Sequence, residues 1–307
     1  MLSGISAFDG SFLASLNQTE SRITQDQQQI SSGIRVSQAS DDPTAVSSIL
    51  DYQEEIGRVT QVQTNMNAAS TTATAADAAL QSASTLLDKL VSIGSEGASS
   101  TTSASAQASL ANQVQQIAQQ LVGIANTTSQ GQYVFGSDGA TTQPYTFDWT
   151  SPKGVVQNST TSSTSVLRDA SGNQIVAGMT AQQVFDVQNP DGTSATGNVF
   201  QAVYDLGTAL ALPNNQTAIA SATQEIQDAV TQIGQATSTN GDTQDWIQNA
   251  QSDAANRLVT LQQGLSTVRD TDIAAASVQL TTDNTAMQAA MSAHASISTK
   301  SLFSYLG

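Results

Sequence analysis

The stretch Leu16-Asn17-Gln18-Thr19-Glu20-Ser21-Arg22-Ile23-Thr24-Gln25-Asp26-Gln27-Gln28-Gln29-Ile30 decides the fold. Leu16, Ile23 and Ile30 recur every seven residues, and Phe12 and Ile34 extend the same face. A period of seven keeps apolar side chains on one narrow stripe of a helix, the seam of a coiled coil. The far end of the chain answers it. Ile273, Leu280 and Met287 recur by sevens, and Leu302, Phe303, Tyr305 and Leu306 follow. Both stripes are thin, because the companion seam position carries Thr19 and Asp26 in the first helix and Ser277 and Asn284 in the last. So few apolar anchors do not offset the entropy of ordering two long segments. The ends of the chain are therefore expected to order only against copies of themselves, as parts of a self-assembling structural protein.

Between the ends the pattern is stronger. Val59, Met66, Ala73, Leu80 and Leu87 repeat by sevens, with Val62, Ala69, Ala76, Ala83 and Leu90 three positions on. That is a two-position heptad, and its many alanines allow neighbouring helices to approach closely. Ahead of it, Asp41 or Asp42 can cap the helix, with Pro43 in the first turn, where a missing N–H does no harm. Gly94 to Ser105 reads as a turn, followed by a helix through Leu110, Val114, Ile117, Leu121 and Ile124. Residues 131–198 then change character. Gly131 to Gly136, Tyr145 to Trp149, Val155 to Gln157, Val166 to Arg168, Gln174 to Ala177 and Val184 to Val187 read as short strands between turn residues. Helical periodicity resumes at Val199, with a break expected at Asn240-Gly241.

The fold class is mainly α with a small β insert: a long antiparallel helical bundle or coiled coil formed by both chain ends, and a β-rich middle domain. Expected domains are 1–42 with 270–307, 43–130 with 199–269, and the insert 131–198.

Composition excludes several function classes. Only 11% of the 307 residues are charged, against roughly 25% in an ordinary soluble protein. Nine Lys and Arg face 25 Asp and Glu, for a net charge of -16. Nucleic-acid binding needs clustered cations to displace phosphate counterions, and none cluster here; anionic membrane surfaces are disfavoured for the same reason. The chain has no cysteine, which rules out disulfides and thiol nucleophiles. Residues 1–12 lack the cationic start and unbroken apolar run of a cleaved signal peptide. No apolar stretch approaches the ~20 residues of a membrane span. His294, the one histidine, continues the Ile273, Leu280, Met287 stripe and reads as a seam residue. No Gly-rich phosphate loop with Lys and no Gly-x-Ser-x-Gly turn occurs, so neither an enzyme nor a cofactor is expected.

Leu16 to Val36, followed by Ser40-Asp41-Asp42-Pro43, resembles the N-terminal signature of the bacterial flagellin family. Asp272-Ile273-Ala274, Leu280, Ala286-Met287-Gln288-Ala289 and Ser301-Leu302-Phe303-Ser304-Tyr305-Leu306 resemble its C-terminal signature. The resemblance implies a structural subunit of the bacterial flagellum, exported without a cleaved signal through a type III apparatus and located outside the cell. It also implies assembly through the terminal helices, with Phe12, Leu16, Ile23, Ile30, Ile34, Ile273, Leu280, Met287, Leu302, Phe303, Tyr305 and Leu306 at the interface. The implied partners are copies of the chain, hook-associated protein 1, flagellin, and an export chaperone at the C-terminal helix. Gly131-Gln132-Tyr133-Val134-Phe135-Gly136, Pro144-Tyr145-Thr146-Phe147-Asp148 and Gly178 to Asp186 resemble the family's hook–filament adaptor branch. Leu110 to Thr128 contains no Arg, a departure from the filament-forming branch, which stays as the alternative.

Overall fold

A computed structural model of the chain describes residues 2–136, 141–158, 166–176 and 178–306, with side chains described between residues 9 and 296. The described residues are mostly helical. The helices are α1 (Leu2–Ser32), α2 (Pro43–Gly97), α3 (Ala104–Ala125), α4 (Ala181–Phe185), α5 (Val199–Ala211), α6 (Gln216–Arg269) and α7 (Ile273–Leu306). The strands are β1 (Thr128–Ser129), β2 (Gln132–Tyr133), β3 (Tyr145–Phe147), β4 (Val155–Gln157), β5 (Val166–Arg168) and β6 (Gln174–Val176). They pair as β1–β2, β3–β4 and β5–β6, three separate antiparallel ribbons. The β portion is thus smaller than a β-rich domain.

The chain forms two compact units: Met1–Gly57 with Leu258–Gly307, and Arg58–Arg257. Expectation had placed boundaries at 42 and 270 and set the insert apart as a third domain. The insert has no core of its own. Its Phe135, Tyr145 and Phe185 are buried in one continuous cluster with Leu80 and Leu87 of α2, Leu121 of α3, Leu206 of α5 and Ile226 of α6.

The second unit follows its heptads. Val59, Met66, Ala73, Leu80 and Leu87 are all buried on α2, as are Ile219, Ile226 and Ile233 on α6. The capping hydroxyl of Ser103 accepts from the N–H of Ala106 and starts α3. Three local expectations are corrected. Residues 184–187 are not a strand: Thr180 and Gln183 form a reciprocal capping box that nucleates α4. Gly131 to Gly136 holds only the two-residue β2, the rest being turn. Asn240-Gly241 does not break α6, because buried Asn240 donates Nδ2 to the Ala73 carbonyl at 2.9 Å and is satisfied inside the helix pair. The Gly94-to-Ser105 turn also starts late: α2 runs to Gly97, where bare glycines leave room for Thr223 and Leu210.

Gly207 of α5 lies under the Trp149 indole, and a Cβ there would sit 2.6 Å from Cζ2. Gly207→Ala should therefore destabilise this unit by about 1–3 kcal/mol despite alanine's better helix propensity, read as a lower urea midpoint.

One polar hub ties the insert to the helices. Asp186, only 2% exposed, accepts from Lys153 Nζ at 2.8 Å, Asn198 Nδ2 at 2.7 Å, Gln188 Nε2 at 2.9 Å and the Tyr145 hydroxyl at 3.1 Å. Burial and the neighbouring carboxylate push the Tyr145 phenol far above its ordinary range, so it remains a donor. Asn198 in turn caps α5 through Oδ1 on the Gln201 N–H. Lys153 reaches the hub with φ of 64°, a conformation uncommon for a non-glycine residue.

Candidate functional site

The first unit contains the residues expected to assemble. On α1 the inward positions are Phe12, Leu16, Thr19, Ile23, Asp26 and Ile30, alternating by four and three. Ile23 is buried, at 8% exposed, and the others are half-buried. On α7 the matching line is Ala276, Leu280, Asp283, Met287, Ala290 and His294. The contacts run antiparallel: Arg22 Nη2 reaches Asp283 Oδ1 at 3.4 Å, and further along Phe12 stacks on His294 with centroids 4.1 Å apart. His294 Nε2 also lies 3.7 Å from Asp9 Oδ1.

Two expectations about this line are corrected. Ile273 is 53% exposed: it opens the helix just after Asp272, whose Oδ1 accepts from the N–H groups of Ala274 and Ala275. The companion position is Ala276, Asp283 and Ala290, one residue back from Ser277 and Asn284, which are exposed. Leu302, Phe303, Tyr305 and Leu306 lie outside the residues whose side chains are described.

A second feature fastens the helix ends. Gly33, with φ of 72°, ends α1, and Ile34 forms an antiparallel bridge with Asp270. The Arg35 and Val36 N–H groups both donate to the Arg269 carbonyl, and the Thr271 N–H donates to the Gly33 carbonyl. Arg35 adds Nη2 to the Val268 carbonyl at 2.6 Å and Nη1 to Asp42 Oδ2 at 3.1 Å. Asp42 Oδ1 accepts from the N–H groups of Thr44 and Ala45, capping α2 at Pro43. Asp41 Oδ2 instead accepts from the N–H groups of Ser37 and Gln38, capping the preceding turn. The Thr44 hydroxyl, with Arg35 next, holds the Asp42 carboxyl down to about 2. Beneath this clasp Val36, Ala45, Ile49 and Leu265 are buried, and Tyr52 lies across bare Gly264. That small core carries residues 43–57 into this unit.

Sequence reasoning missed Arg35, Asp270, Ala276 and Asp283. The four-three alternation through 276, 280, 283, 287, 290 and 294 was present to find the last two; the clasp is a tertiary meeting of two loops and left no periodic mark.

The unit leaves Leu13, Leu50, Val259, Ile273, Val278 and Met291 exposed. Val278, 68% exposed, lies in an open trough of about 660 Å³ on the outer face of α7, with Thr281, Thr282, Thr285, Ala286 and Ala289. Among the described residues no group of three or more His, Asp or Glu could hold a metal ion, and no helix is long and apolar enough to cross a membrane.

Two family models match the chain: the bacterial flagellin N-terminal helical region over residues 9–138 and the bacterial flagellin C-terminal helical region over residues 223–306. No curated protein sequence matches. Among solved structures, a protein of Vibrio parahaemolyticus described as flagellar hook-associated superposes with a TM-score of 0.63 at 19% identity, covering 75% of this chain and 99% of its own. Flagellar hook associated protein-3 of Legionella pneumophila gives 0.60 at 15%, covering 72% and 98%. The flagellar junction protein FlgL, also from Legionella pneumophila, gives 0.55 at 15%, covering 73% and 100%. At these identities the likeness is one of fold.

Proposed function

The chain belongs to the bacterial flagellin family, and from that premise we propose that this structural flagellar subunit is the adaptor at the junction between hook and filament. The observation that carries the reading is the extent of the match. The family's two helical regions account for both ends of the chain, and the fold superposes on junction and hook-associated proteins along nearly their whole length.

In this reading α1 and α7 form the assembling part. Their thin seam leaves exposed apolar residues on both helices, Leu13 on one and Val278 and Met291 on the other, and neighbouring subunits would cover them. Phe12, Leu16, Ile23, Ile30, Leu280 and Met287 hold the pair. The partners are further copies, hook-associated protein 1 on one side and flagellin on the other. The chain leaves the cell unfolded by type III export, escorted by a chaperone on the α7 segment, and functions outside. The absence of cysteine suits that route, since no disulfide has to form after export.

Negative-stain microscopy of the purified protein, mixed with isolated hooks or with sheared filaments of its own host, tests this. Short caps on hook ends that do not propagate are the expected result. Long uniform tubes growing from the filament seeds would make the chain a filament subunit instead.

A further inference from the structure

The α1–α7 seam carries titratable groups where a coiled coil ordinarily has apolar ones. Asp283 is 4% exposed and Asp26 half-buried, and the Oδ2 atoms of both are buried without a hydrogen bond from any described residue. The charged groups facing them are Arg22 on α1 and each other; Asp9 of α1 and His294 of α7 lie further along the same seam. The one guanidinium, 3.4 Å from Asp283 Oδ1, offsets one of the two carboxylate charges and leaves the other uncompensated. A carboxylate held in that seam near a second one, with one guanidinium for the two, favours its protonated form.

We infer that the Asp26–Asp283 stretch of the seam is a proton-binding site, Asp26 taking up one proton as α1 and α7 close, so that the terminal helices pair more tightly as pH falls than at neutral pH. Protonation of Asp26 removes the cost of burying an ionised Oδ2 that accepts no hydrogen bond. It also brings the cluster of two carboxylates and one guanidinium to neutrality.

The sign follows from the direction of the shift. Burial, then Asp283, raises the Asp26 carboxyl above its ordinary range, with Arg22 opposing. A raised carboxyl contributes stability that is complete below its unfolded value and is lost as pH rises through the folded one. The clasp behaves oppositely: Asp41, Asp42 and Asp270 are held low by their hydrogen bonds and lose their contribution only as pH falls through those depressed values. Lowering the pH through the raised Asp26 value therefore tightens the seam while the clasp remains ionised.

The inference concerns the free chain and holds whether it is an adaptor or a filament subunit. Because the chain has no cysteine, Asn17→Cys and Gln288→Cys, both at exposed positions, place two spin labels across the seam of the full-length protein. The closely spaced population should grow as pH falls from neutrality through the raised Asp26 value. Adding Asp26→Asn with Asp283→Asn should raise that population at neutral pH toward the acid value. A wild-type distance distribution indifferent to pH overturns the inference, and so does an Asn pair no more closed than wild type at neutral pH. An unchanged urea transition of the Arg58–Arg257 unit verifies that the variants are folded.

Discussion

Asp186→Ala should lower the stability of the Arg58–Arg257 unit by about 3–5 kcal/mol, the largest single-residue loss expected in the molecule. The substitution takes an acceptor from four donors at once, of which Asn198 alone has a second acceptor among the described residues, the Val187 carbonyl. Lys153 keeps a largely buried ammonium with its carboxylate partner gone, while the Tyr145 hydroxyl, Asn198 and Gln188 each lose an acceptor. Most of the cost is the desolvation of groups that cannot return to water without opening the insert. The damage should spread, because Asn198 also caps α5 and Tyr145 packs on Phe200 with centroids 4.9 Å apart. Urea unfolding followed by Trp149 fluorescence reads it. Asp186→Asn, which keeps one acceptor oxygen but no charge, should fall between wild type and alanine. An alanine variant within about 1 kcal/mol of wild type would mean that water enters the hub freely.

The second large effect falls on assembly and spares this unit. Ile23→Asp removes the one large apolar side chain that is buried on α1 among its described residues and puts a third carboxylate into the seam near Asp26 and Asp283. Losing an anchor worth about 1.5–3 kcal/mol should raise the concentration needed for incorporation by roughly tenfold to a hundredfold. The urea midpoint of the Arg58–Arg257 unit should not move. Pelleting with hook and filament fragments measures the first quantity and tryptophan fluorescence the second. A variant that assembles normally would remove α1 from the interface.

The helices were legible where apolar residues repeat by sevens, since burial on one face is what the repeat encodes. Val59 through Leu87 and Ile219 through Ile233 are buried as their spacing implies. Spacing failed where a polar residue finds its partner across the fold. Asn240 looked like a helix breaker, yet the Ala73 carbonyl lies opposite it. Val184 and Phe185 looked like strand residues, but the capping box ahead of them outweighs β propensity. Ile273 matched the heptad arithmetic of α7 and is still exposed, because it is the first residue of the helix; the companion line runs through Ala276 and Asp283. An aspartate in a seam is invisible to a search for apolar periodicity. The Asp186 hub and the clasp at Arg35 left even less trace, since each joins segments that share no periodic pattern.

The Ile34–Asp270 bridge also sets an order of events. Every residue of the Arg58–Arg257 unit lies between its two halves in sequence. A chain that emerges progressively from a narrow channel, from either end, presents that nested unit whole before the second half of the clasp is free. The inner unit holds every part of its own core, Leu80 of α2 and Ile226 of α6 included, while the outer one waits for closure between the two ends of the sequence, the kind of contact that slows folding. The first half of the outer unit thus stays in solution as an open strand for as long as the rest takes to arrive. During that interval it can pair with a neighbour before it meets its own other half.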